Sequence, residues 1–170
     1  STKILTLRAI GHNMSLFIKM AKKKSSLPSG RQLKKLHFLI GKWHTTGKIL
    51  QGAPGSSNEI RGMDTYEWIP GGFFILHRVD VFMGKERTES VEIIGYDEGR
   101  KSYFMHSFDN QGNATTMYAV LEKPGVLKLE DKTMRSILTV SKDGNAMVAK
   151  WELLDNGKSW APWMHLEFNK

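Results

Sequence analysis

From Gly41 to the C-terminus, apolar side chains recur at every second position, in short runs separated by turn-forming residues. That period belongs to the β-strand, where successive side chains point to opposite faces. In the first run Trp43, Thr45, Gly47 and Ile49 alternate with His44, Thr46 and Lys48. Further strands are expected over 60–69, 73–83, 87–96, 101–108, 114–122, 126–130, 134–141, 147–154 and 160–168. Between them stand Pro70-Gly71-Gly72, Gly84-Lys85, Asp97-Glu98-Gly99, Pro124-Gly125, Asp143-Gly144 and Asn156-Gly157. Asp-Gly and Asn-Gly favour two-residue hairpins, because both central residues of the tight turn need positive φ. About ten strands joined by hairpins, with no helix between them, predict an all-β chain. A meander of that length leaves two open edges unless it closes on itself. The expected fold is therefore a single antiparallel up-and-down β-barrel. A barrel of this strand number leaves room inside for one small ligand.

Upstream of Gly41 the period changes. Leu33, Leu36, Leu39 and Ile40 have the spacing of one helical face, predicting a short amphipathic helix over 32–40. Leu16, Phe17, Met20 and Ala21 share that spacing with lysines opposite, predicting a helix over 15–24, and 25–30 reads as a linker. The chain thus divides into a basic arm, residues 1–31, and a barrel domain, residues 32–170. Charge follows the same division. The net charge is +8, yet no Asp or Glu precedes Glu59, and beyond that point acids slightly outnumber bases. Nucleic-acid binding expects basic residues spread over one face of the fold, so no specific nucleic-acid partner is expected. The arm is suited to a weak contact with an anionic surface. Met14 is a candidate start, which would make residues 1–13 an upstream extension. The most apolar early segment, 9–20, is broken by His12, Asn13 and Lys19, unlike a secretory signal, and no run is long enough to span a bilayer. The absence of cysteine excludes disulfides, thiolate metal sites and cysteine nucleophiles. Cytoplasmic localisation is expected, with monomer and dimer both open.

The helix leading into Leu39-Ile40-Gly41-Lys42-Trp43 resembles the Gly-x-Trp opening of lipocalin-like (calycin) barrels. Pro70-Gly71-Gly72-Phe73-Phe74, Gly95-Tyr96-Asp97 followed by Tyr103, and Asp155-Asn156-Gly157-Lys158-Ser159-Trp160 resemble a bacterial family of such domains of unknown function. The resemblance covers about residues 32–168 and implies a barrel whose end is plugged by Trp43. It supplies no catalytic residues. Nitrobindin-like haem barrels are similar in their Gly-x-Trp opening and in a haem-ligating histidine near the C-terminus. That second resemblance would make His165 the haem ligand, with His77 as the other candidate.

Alternation also sorts side chains between interior and solvent. In the third strand Phe73, Ile75, His77, Val79 and Val81 share a face that is apolar except for His77, and this set is placed inside. In the second strand Asp64 shares a face with Tyr66 and Trp68. A carboxylate inside a barrel needs a partner, and His77 on the adjacent strand can supply one. Asp64 and His77 are therefore the expected polar spot. In the fourth strand Thr88, Ser90 and Glu92 share a face with Ile94 and Tyr96. They are assigned to water, with a polar cavity wall as the alternative. His106 shares a face with Phe104 and Phe108 and is a second candidate interior histidine. Trp151 reads as core, and Trp160 and Trp163 as packing. His165 alternates with Met164, Leu166 and Phe168, which points it outward. The candidate ligand-binding residues are thus Asp64, Tyr66, Trp68, His77, Tyr96 and His106. No nucleophile elbow, phosphate loop or His-Glu-x-x-His is present. No resident cofactor is expected on this reading, with haem as the alternative, and nothing selects a catalysed reaction. The expected function is binding of a small hydrophobic or amphipathic molecule inside the barrel. A filled barrel acting through its basic arm is a further alternative.

Overall fold

The period-two runs pair in chain order and close into a ring. A computed structural model describes residues 28–51 and 58–170. The expected helix over 15–24, the first half of the linker (25–27) and residues 1–27 of the arm expected to make the anionic-surface contact lie outside those residues. The strands are β1 (Gly41–Ile49), β2 (Glu59–Trp68), β3 (Ile75–Met83), β4 (Glu86–Asp97) and β5 (Ser102–Asp109). They continue as β6 (Ala114–Lys123), β7 (Val126–Glu130), β8 (Met134–Val140), β9 (Ala146–Asp155) and β10 (Ser159–Asn169). Each strand pairs with its chain neighbours, and β1 pairs with β10, so the sheet is a closed antiparallel up-and-down barrel. Closure leaves no free edge.

Closing a sheet requires local bends. Gly62 lies on the inner face of β2, and a Cβ there would sit 2.2 Å from the carbonyl oxygen of Asp80. Only glycine lets β2 come this close to β3. In β10 the register shifts between Pro162 and Met164, leaving Trp163 as the extra residue of a bulge. Proline has no N–H to donate to a ladder and is tolerated at such a site.

The segment before the barrel differs from its expected form. Helix α1 spans Pro28–Lys34, and a separate 3-10 turn follows at His37–Leu39. The helix therefore begins inside the expected linker. Proline suits a first helical turn, where a backbone N–H would be unpaired in any case. Leu33, Leu36 and Leu39 are nonetheless buried together, as their spacing required. Burying each contributes about 2 kcal/mol. They close one end of the barrel with Trp43, which is fully buried and donates its indole N–H to the Leu39 carbonyl at 2.7 Å. The Tyr103 hydroxyl donates to the Gln32 carbonyl at 3.0 Å and fastens α1 over that end. The main core gathers at this closed end and along the inner wall, including Ile75, Ile94, Met105 and Leu127. Among the described residues, no helix is long and apolar enough to cross a membrane.

Candidate functional site

Three neighbouring strands bring three ionisable side chains to one place on the inner wall. On β2 the buried positions are Ile60, Asp64 and Tyr66; on β3 they are Ile75, His77 and Val81. The register sets Tyr66 opposite His77, and His77 opposite Glu92 of β4. His77 Nε2 lies 2.6 Å from Asp64 Oδ1, and His77 Nδ1 lies 3.1 Å from Glu92 Oε1. The Thr45 hydroxyl of β1 donates to the other oxygen of Asp64. The Tyr66 ring stacks on the imidazole, with centroids 3.9 Å apart and planes 7° from parallel.

The electrostatics follow from this geometry. Burial alone would push the imidazole toward its neutral form. The hydrogen bonds to Asp64 and Glu92 together outweigh it and hold the His77 pKa at about 9. At neutral pH both ring nitrogens carry protons and donate to the two carboxylates. The cluster of one imidazolium and two carboxylates then carries a net negative charge. Burial, reinforced by the carboxylates of Asp64 and Glu92, raises the Tyr66 phenol well above its usual range, so it stays neutral.

The cluster forms part of the wall of a cavity of about 300 Å³ inside the barrel. Most of the wall is apolar and includes Val79, Met105, Leu129, Trp151, Trp163 and Phe168. The two indoles meet edge to face at 6.5 Å. Beyond the cluster, Thr88, Ser90, Ser107, Thr115 and Ser136 add hydroxyls to the wall.

Several expectations change at this point. Asp64, His77 and Tyr66 come together as expected. Thr88, Ser90 and Glu92 do not face water. Pairing of β4 with β3 puts Glu92 beside His77, and the same parity carries Ser90 and Thr88 inward. Trp68 is not on the cavity wall. It is half-buried at the closed end, stacked at 6.4 Å on His37. Tyr96 also sits at that end, edge-on to Tyr103 at 5.2 Å. His106 is exposed on the outer surface, where Nδ1 pairs with the Thr116 hydroxyl at 2.8 Å. Its parity is fixed by Met105, which is buried opposite Ile94. The apolar neighbour that made His106 look internal, Phe104, covers Gly95 from outside, and a Cβ on Gly95 would meet that ring at 2.1 Å. Phe73 precedes β3 rather than belonging to it. His165 lies outside, opposite Lys48 of β1, while Met164 and Phe168 are buried. The cavity's histidine, His77, has both ring nitrogens engaged by carboxylates, so it offers no lone pair to an iron. Among the described residues, no three acidic or histidine side chains are arranged to hold a metal ion.

The sequence missed Glu92, the third member of the cluster. Its signal was present: an internal His77 has two ring nitrogens to satisfy, and Asp64 accounts for one. The inward turn of Trp163 depends on the bulge and had no such signal.

A closed ten-strand barrel with a mostly apolar cavity and one buried charged cluster defines the class. Residues 29–170 match the family described as protein of unknown function (DUF1579), and the chain belongs to that family. No curated protein matches it. Among solved structures, a de novo designed fluorescence-activating β-barrel is similar at 12% identity, with a TM-score of 0.40, over 79% of this chain and 94% of that one.

Proposed function

We propose that the barrel interior binds one small hydrophobic or amphipathic molecule, in the manner of a lipocalin-like carrier or sensor. The observation that carries this reading is the cavity of about 300 Å³, apolar over most of its wall with a single charged cluster set into it. Binding sites for small molecules have this composition: apolar surface supplies affinity, and a few fixed polar groups supply orientation. The cluster is positioned before any ligand arrives, because Thr45, Asp64, His77 and Glu92 hold one another. Pre-organisation of that kind lowers the ordering cost of binding. A haem reading lacks this support, since the interior imidazole is committed to two carboxylates.

The test uses N-phenylnaphthylamine, a neutral apolar probe whose emission rises on leaving water. Trp151 and Trp163 on the wall report its arrival by energy transfer. Saturable binding of one probe per chain is expected. Ala149, buried on the cavity wall, provides the control. Ala149→Phe fills the cavity and should abolish binding while the chain still melts cooperatively. Probe binding that is absent, or unchanged in a folded Ala149→Phe chain, removes the proposal.

A further inference from the structure

The wall opposite the charged cluster carries a second polar spot of opposite hydrogen-bonding character. Ser136 of β8 is only 2% exposed, and its hydroxyl has no hydrogen-bond partner among the described residues. The buried indole N–H of Trp151 on β9 also has none. The two residues face each other across the β8–β9 ladder, and both line the cavity. Buried polar groups are nearly always paired, and an unpaired donor is costly. Two such groups side by side on a cavity wall are therefore unusual. An indole N–H only donates, and a hydroxyl beside it is free to donate as well. The pair is a receptor for an acceptor oxygen.

The position of this pair follows from the topology. Around the closed ring, β5, β6 and β7 separate β4 from β8, and β2, β1 and β10 separate β3 from β9. Ser136 and Trp151 thus lie on the two strands that stand opposite those of His77 and Glu92 in the ring. At that opposite wall the imidazolium spends both N–H groups on carboxylates, and the cluster keeps a surplus negative charge. The second oxygen of Glu92 has no hydrogen-bond partner among the described residues. This wall therefore favours a donor or a cation and disfavours an anion. The surface between the two spots is mostly apolar, with Met105, Met117, Leu129 and Leu138, and carries the hydroxyls of Ser107 and Thr115.

We infer that the ligand is bifunctional: a protonated amine or other donor against Glu92, an apolar middle, and a carbonyl or similar acceptor against Ser136 and Trp151. This inference rests on the proposed binding function and specifies its ligand class. A ligand with both ends satisfied gains an interaction that a one-ended analogue lacks. One good hydrogen bond corresponds to about tenfold in affinity.

Displacement of N-phenylnaphthylamine by four compounds of one chain length tests the inference. These are octylamine, methyl octanoate, octanoate and the methyl ester of ω-aminooctanoic acid. The amino ester should bind about tenfold tighter than octylamine, and octanoate should bind weakest. In Ser136→Ala, the ratio between amino ester and octylamine should fall close to one. Ser136 has no hydrogen-bond partner to lose among the described residues, so this variant should fold as the parent does; Trp151→Phe gives a second reading of the same ratio. In Glu92→Gln, the preference of octylamine over octanoate should shrink. Octanoate binding tighter than octylamine would overturn the inference, as would an amino-ester advantage that survives both Ser136→Ala and Trp151→Phe. If the probe binds and the four compounds displace it equally, the inference alone fails. If the probe does not bind at all, the binding function fails with it.

Discussion

Raising the pH should unlock the barrel from inside, because one of its buried ties is a protonated histidine. His77 has a pKa of about 9 in the folded chain, against 6.5 for the unperturbed side chain. A group whose folded pKa is raised contributes stability that is complete below its unfolded pKa and disappears as pH climbs through the folded one. The contribution of His77 is therefore full below 6.5 and is lost between 6.5 and about 9. That interval converts, at about 1.4 kcal/mol per pH unit, to about 3 kcal/mol. The assay is urea unfolding at a series of pH values across the interval, with the His77 ring followed by NMR in parallel. Loss of about 3 kcal/mol is expected, with the ring titrating near 9. Glu92→Gln removes one of the two carboxylates that hold the proton, so the loss should be smaller and should end at a lower pH. A ring that titrates near 6.5, or stability that stays level across the interval, would refute the charged cluster.

Other outcomes follow from the same geometry. Trp43→Ala empties the closed end and frees the Leu39 carbonyl; it should cost about 3–5 kcal/mol in urea unfolding. Tyr103→Phe removes only the hydroxyl that holds Gln32, which should cost about 1 kcal/mol and speed amide exchange in α1. His106→Ala, on the outer surface, should change stability by no more than about 0.5 kcal/mol and leave probe affinity as it was.

The legibility of the chain tracked how one-sided each strand is. On β3 the inner set is apolar except for His77 and the outer set holds Arg78 and Asp80, so parity alone placed the histidine. On β2, Tyr66 carried Asp64 inward with it. On β4 the pattern misled, because the inner positions Thr88, Ser90 and Glu92 are polar while the outer Val91 and Ile93 are apolar. A wall that offers hydrogen bonds to a cavity looks, in sequence, like a wall facing water. Only the register with His77 distinguishes the two. On β5 both faces are apolar because Phe104 serves as an outer cover for Gly95, and His106 was misplaced with it. Trp68 and Tyr96 had the correct parity but the wrong height: alternation gives the face of a strand and says nothing about distance from the plugged end. At α1, Pro28 stands in a segment read as a linker, whereas the helix begins at it.

The most direct test of a ligand-binding interior is native mass spectrometry of the full chain purified from its own cells, beside Ala149→Phe purified in the same way. The expected result is a parent chain carrying one adduct of defined mass, released on denaturation and missing from the filled variant. A parent chain of bare mass, or an adduct carried equally by both, would contradict it.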